Sequence, residues 1–200
     1  MIDRLDHLIV SVEDISAAEE NFTKFFGIEP VWRGEHSELG TINAIYNFSN
    51  TYFEILAAKG EGIGAELVKQ SIQEKGEGLT GIVLGTDNIQ DCENQILNKD
   101  FKSSTISNGE GMDFDNGEVR RWKSLFLPSD LTRGLFAFLI QHTEGNLPLP
   151  NKFSDTSVNK LDHVVINTND PDGFINVYQD TYGIRPVSYT HLRAHETERN

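Results

Sequence analysis

One cysteine, Cys92, stands in the whole chain, so no disulfide can close within it. It sits in DCENQIL, where helical spacing puts it beside apolar positions, and it reads as a small buried hydrophobe rather than a nucleophile. Basic residues are scarce: 17 lysines and arginines face 31 acids, a formal net charge of −14. That balance argues against a nucleic-acid partner, because phosphate binding needs a basic face to displace counterions. Nowhere do about 18 apolar residues run together, as a membrane-spanning helix requires. The start, MIDRLDHLIV, lacks the basic segment, long apolar stretch and small-residue cleavage site of a secretion signal. The expectation is a cytoplasmic protein with a small-molecule partner, no nucleic acid and no membrane, and with homo-oligomerisation left open.

What is present is a repeat. LDHLIVSVEDISAAEENFTKFFGIEP (5–30) recurs without a gap as LDHVVINTNDPDGFINVYQDTYGIRP (161–186), with Leu5, Asp6, His7, Asp14, Gly27, Ile28 and Pro30 identical to their counterparts. A weaker copy, LTGIVLGTDNIQDCENQIL, begins at Leu79. Internal self-similarity of this kind sets the architecture before any local reading.

Each copy opens with a β-branched run, then an Asp or Asn suited to cap a helix, then apolar residues at helical spacing. In the first copy Ala18, Phe22, Phe25 and Phe26 form the stripe, and Gly27 stands where a helix end favours a left-handed residue. Short strands are expected at 31–33, 41–48 and 52–57, giving a βαβββ module over 1–62. A second module spans 76–145, with strands at 119–126 and 135–142 around a loop at 128–132, and a helix at 65–75 joins the two. Residues 146–160 read as a linker and 161–186 as the start of a further, truncated module.

A βαβββ repeat with a histidine on its first strand (His7 in LDHLIV) and a glutamate on its last (Glu54 in YFEILA) resembles the vicinal oxygen chelate superfamily. More narrowly, residues 34–57 are similar to glyoxalase-like domains, in which a Gly-Thr-x-Asn-Ala segment (Gly40, Thr41, Asn43, Ala44) precedes the glutamate strand. The resemblance implies an α+β fold in which two modules form a curved, partly open mixed barrel around a divalent metal (Zn, Fe, Ni or Mn). It also implies a lyase, isomerase or dioxygenase whose oxygen-rich substrate chelates that metal. Its pattern puts His7 and Glu54 in the ligand set, while the matching positions of the second module read Gly81 and Gln141. Gln141 then enters as a third ligand through its carbonyl oxygen, with His142 or His36 as the substitutes, although a regular strand turns His142 to the face opposite Gln141.

Alternation supports the first pair, since His7, Ile9 and Ser11 share one strand face and Tyr52, Glu54 and Leu56 another. A lone strand histidine is as readily a hydrogen-bonded core residue as a ligand. Glu54, in an apolar strand, needs a metal, a cation or an elevated pKa, and acts as general base if no metal binds. His36, Thr41 and Asn43 are candidate substrate contacts, each with a plain alternative as surface or turn residue. Among Arg120, Arg121 and Lys123, one points inward to hold an anion, and the expectation falls on Arg121. A non-catalytic binding protein that sequesters an apolar ligand, or a structural half of a four-module enzyme, is the rival reading. Finally, VSYTHLRAHET, within residues 187–200, looks like a translated sequencing adapter, so His191, His195 and Glu196 receive no role.

Overall fold

The computed structural model describes residues 2–99, 101, 105–150 and 153–184. They divide into two units that part between Val164 and Val165. The 187–200 segment lies outside the described residues.

The first unit runs β1 (Arg4–Ser11), α1 (Ile15–Phe26), β2 (Trp32–His36), β3 (Thr41–Asn47), β4 (Tyr52–Ala58), α2 (Ile63–Lys75), β5 (Gly78–Gly85), α3 (Ile89–Leu97), β6 (Ser107–Asp113), β7 (Val119–Phe126), α4 (Ser129–Thr132) and β8 (Phe136–Glu144). The strands close into one mixed barrel in the order β1-β4-β3-β2-β6-β7-β8-β5. β1 pairs with β4 in parallel, β5 with β8 in parallel, and β1 runs antiparallel to β5 along the module junction. The expected partly open barrel is therefore corrected to a closed one. Its opposite seam is thin: β2 and β6 share only the register pairs Gly34 with Asp113 and Glu35 with Met112.

Local chemistry explains the elements. Asp14 accepts from the N–H groups of Ser16 and Ala17, satisfying donors that α1 cannot use itself, and Gly27 ends the helix at φ 67°. Phe26 packs edge-on against Tyr46, Phe48 and Phe53 on the outer face of the barrel, and burial of such a ring contributes about 2–3 kcal/mol. Phe25, placed in the apolar stripe by spacing, is instead 73% exposed, one position too far around. Cys92 is buried on α3, and its thiol donates to the Thr86 hydroxyl.

Strand β6 has no β-branched or aromatic residue, and nothing in SNGEGMD announces it. Its glycines earn their place by space. A Cβ on Gly109 would collide with the Trp122 indole, and one on Gly34 with the carbonyl of Met112. Residues 153–159, expected as linker, lie on the first module. Val158 donates its N–H to the Phe26 carbonyl at 2.8 Å, and Phe153 and Val158 join the cluster around Phe26.

The repeat from Leu161 departs from expectation. Residues 161–168 form no strand, because no neighbouring strand offers them a ladder. In the second unit α5 (Pro171–Asp180) does form, capped by Asp170, with Phe174 and Tyr178 stacked at 4.2 Å. Among the described residues, no helix is long and apolar enough to cross a membrane.

Candidate functional site

Alternation turns one face of every strand toward the barrel interior, and a cavity of about 330 Å³ lies there. Ile9, Ile45, Leu56, Phe136, Phe138 and Ile140 give it apolar walls, and residues of α2 form part of its rim. Polar side chains gather on the floor.

β1 supplies His7, with an irregularity that alternation alone misses. The register against β5 slips between Leu5 and His7, so an extra residue, Asp6, is inserted. This brings neighbours that would ordinarily face apart into contact, and His7 Nδ1 lies 2.8 Å from Asp6 Oδ1. The other ring nitrogen, Nε2, faces Glu54 Oε2 at 3.4 Å, and both side chains are buried. Tyr52 stacks on the imidazole at 4.3 Å, fixing its plane. Asn43 donates its amide to Glu54 Oε1 at 2.6 Å, which orients the amide and leaves Asn43 Oδ1 buried without a partner.

Burial disfavours charge on all three groups, yet the cluster overrides it. For Glu54 desolvation pushes upward, but the hydrogen bond and charge of His7, with help from His36 and Asn43, bring its pKa down to about 2. Asp6 is likewise held well below the carboxylate range, against its burial, by hydrogen bonds from His142 and His7. Burial alone would lower His7, but Asp6 and Glu54 on either side hold it above its ordinary value. Between the two carboxylates His7 thus favours its imidazolium form more than a free histidine does. His36 goes the other way: burial lowers it, Glu54 opposes, and the positive charge of Arg120 and His7 adds to the lowering.

The structure brings His7, Glu54, His36, Thr41 and Asn43 together around this cavity. His36 Nδ1 lies 3.0 Å from Thr41 Oγ1 and its Nε2 lies 3.4 Å from the Asn43 amide. Two expected residues are elsewhere. Gln141 points out of the barrel, where its Oε1 accepts the Ile89 N–H at the start of α3, so it cannot complete a ligand set. Arg121 is also outward, paired with Glu110 and Glu144 at the surface. The inward arginine is Arg120, one residue earlier, and on β8 the inward neighbour of Gln141 is His142. Asp6 was not assigned a place in the site from sequence, while Arg120 was passed over for Arg121 and His142 for Gln141. A signal existed for Asp6, since Leu-Asp-His occurs at both 5–7 and 161–163, and Asp162 pairs with His163 Nδ1 at 2.7 Å in the second occurrence.

A family model described as a glyoxalase-like domain matches residues 5–182. The chain belongs to that family. The fold of this glyoxalase-like protein, within the vicinal oxygen chelate superfamily, recurs in solved structures. A Streptomyces coelicolor methylmalonyl-CoA epimerase variant in complex with 2-nitronate-propionyl-CoA is 19% identical, covers 70% of this chain and 95% of its own, and gives a TM-score of 0.56. A methylmalonyl-CoA epimerase in complex with methylmalonyl-CoA and NH4+ is 18% identical over 75% of this chain and 100% of its own, at 0.57. A hypothetical protein from Bacillus halodurans is 17% identical over 72% of this chain and 96% of its own, at 0.58. A sequence search of curated proteins finds no match.

The donor set can be tested for a metal. His7 Nε2 and Glu54 Oε2 stand 3.4 Å apart, and two ligands at tetrahedral angles around zinc lie roughly 3.3 Å apart. Asp6 behind His7 is the carboxylate that orients and strengthens a ligating imidazole. Beyond these two, no group of three histidine, cysteine or acidic side chains forms a metal cluster among the described residues. The position at Gly81 contributes nothing, since a Cβ there would meet Phe136 and Ile9. Asn43 Oδ1 is the remaining unpaired buried oxygen in the barrel. The residues thus fit a metal held from the first module alone, with the second module's side open.

Proposed function

We propose that this glyoxalase-like protein is a metal-dependent lyase or isomerase acting on a small oxygen-rich substrate, with His7 and Glu54 as metal ligands and Asn43 Oδ1 as a third donor. The observation that carries the reading is the pair of buried atoms, His7 Nε2 and Glu54 Oε2, facing each other across 3.4 Å with only a proton to reconcile their lone pairs. When bound, the metal supplies Lewis-acid stabilisation of negative charge on a substrate oxygen.

The chain's own residues do the rest. Asp6 and the stacked Tyr52 ring fix the orientation of His7. His36, buried and held neutral, is the group suited to accept and return a proton beside the Glu54 carboxylate. The apolar walls exclude water from any charged intermediate. The methylmalonyl-CoA epimerase neighbours, which share the fold, support an isomerase over a dioxygenase. Residues 1–145 as the site-bearing domain, and Leu161 as the start of a further module, belong to the same proposal.

The rival is a binding protein that sequesters an apolar ligand, and the two-ligand set with its apolar cavity favours it. Elemental analysis of the full chain, after exposure to zinc, nickel, manganese or ferrous ions and removal of excess, separates the two. Stoichiometric metal that is lost in His7→Ala and Glu54→Ala supports the enzyme. A parent protein that retains none of the four ions refutes it.

A further inference from the structure

Arg120 is the one arginine that β7 turns into the barrel, and it is only 6% exposed. Burying a guanidinium is costly unless a counter-charge meets it. None does: among the described residues no carboxylate lies within ion-pair distance of Arg120, although the chain carries a formal charge of −14. Its Nε has no hydrogen-bond partner, and Nη2 donates weakly to His142 Nδ1 at 3.4 Å. The guanidinium lies over the faces of Trp32 and Tyr52, 5.5 and 5.6 Å from their centroids. Those contacts hold the group's plane and supply no counter-charge.

Both ring nitrogens of His7, the neighbouring basic group of the interior, are already engaged by Asp6 and Glu54. Arg120 is thus a pre-oriented donor fork with no anionic acceptor, opening on a cavity with apolar and aromatic walls beside the His7 and Glu54 cluster. We propose that Arg120 is the anion-binding residue of this site, and that the substrate class is a small monocarboxylate with a planar or apolar body. A planar carboxylate matches the guanidinium fork. A dianion such as a phosphate ester does not suit the place, because one buried guanidinium sits there beside two buried carboxylates, while Lys75 is exposed and has Glu74 next to it. The cavity of about 330 Å³ is at the small end for ligand sites and suits a compact body. This inference rests on reading the barrel interior as the ligand site, and is independent of the metal.

The chain has two tryptophans, Trp32 and Trp122, and both line the cavity, so intrinsic fluorescence reports on this site alone. The full chain is titrated in the presence of a chelator with benzoate, with its neutral isostere benzamide, and with inorganic phosphate. Benzoate is expected to bind at least about tenfold more tightly than benzamide, as a charge-assisted hydrogen bond implies. In Arg120→Met the preference falls to within about twofold, while in the surface control Arg121→Met it is unchanged.

No preference for benzoate in the parent, or a preference that survives in Arg120→Met, overturns the proposal; so does phosphate binding more tightly than benzoate. Should Arg120→Met fail to fold, the Nε–H resonance of Arg120 in the parent serves instead: it shifts with benzoate and not with benzamide, and its failure to move is refuting. Because chelator is present throughout, loss of anion selectivity and loss of metal binding are separate results.

Discussion

Replacing Glu54 with glutamine removes one charge from the cluster at nearly constant shape. The amide oxygen can still accept from Asn43, and the new N–H₂ can donate to a neutral His7 whose Nδ1–H goes to Asp6. What is lost is the stabilisation of the ionised carboxylate. Its pKa is about 2 in the fold against 4.5 ordinarily, a shift of about 2.5, or roughly 3 kcal/mol at 1.36 kcal/mol per unit. Because the folded value is depressed, this contribution is fully present above pH 4.5 and disappears as pH falls toward 2. Urea unfolding of parent and Glu54→Gln, both metal-free, should show the variant less stable by about 3 kcal/mol at pH 7, with the gap narrowing below pH 4.5. A variant as stable as the parent at pH 7, or a deficit that persists unchanged in acid, would refute the electrostatic account.

Histidine NMR titration should find two buried rings moving in opposite directions: His7 titrating above the ordinary histidine range, and His36 below it. The raised His7 adds stability that is complete below about pH 6.5 and is lost as pH rises through its native value. Gly34→Ala should cost about 1–3 kcal/mol and speed amide exchange at Glu35, because the added Cβ strikes the Met112 carbonyl on a seam held by two register pairs. Arg121→Ala should shift the unfolding midpoint by less than about 1 kcal/mol, since its pairs with Glu110 and Glu144 are solvent-exposed. Val158→Ala should cost about 1 kcal/mol by thermal melting, because that side chain packs with Phe26 rather than lying in a free linker.

The modules were legible because their signals are local: a cap at Asp14, a helix end at Gly27, and β-branched runs repeated from Leu5 to Leu161. His7 and Glu54 were legible through the family resemblance, and alternation on β1 and β4 was compatible with turning both inward. Arg120 and Gln141 were not, for one shared reason. β8 is apolar on both faces and β7 carries polar and apolar residues on both, with Arg120 and Ser124 inward and Arg121 and Lys123 outward, so hydrophobicity does not reveal which residues point inward. On β8 the inner set is Phe136, Phe138, Ile140 and His142, while Ala137 and Leu139 are buried as well. Asp6 was hidden by a bulge, which shifts phase without any mark in composition. β6 was hidden because its glycines serve the Trp122 indole rather than strand propensity.

The central claim is that His7 Nε2 and Glu54 Oε2 together hold one cation, a proton in the free protein and a metal in the active one. Calorimetric titration of the full chain with zinc near pH 7, in two buffers of different ionisation enthalpy, measures how many protons leave as the metal enters. The account predicts one metal per chain with about one proton released, and neither in His7→Ala. Zinc that binds without proton release, or binds equally to the variant, would contradict it.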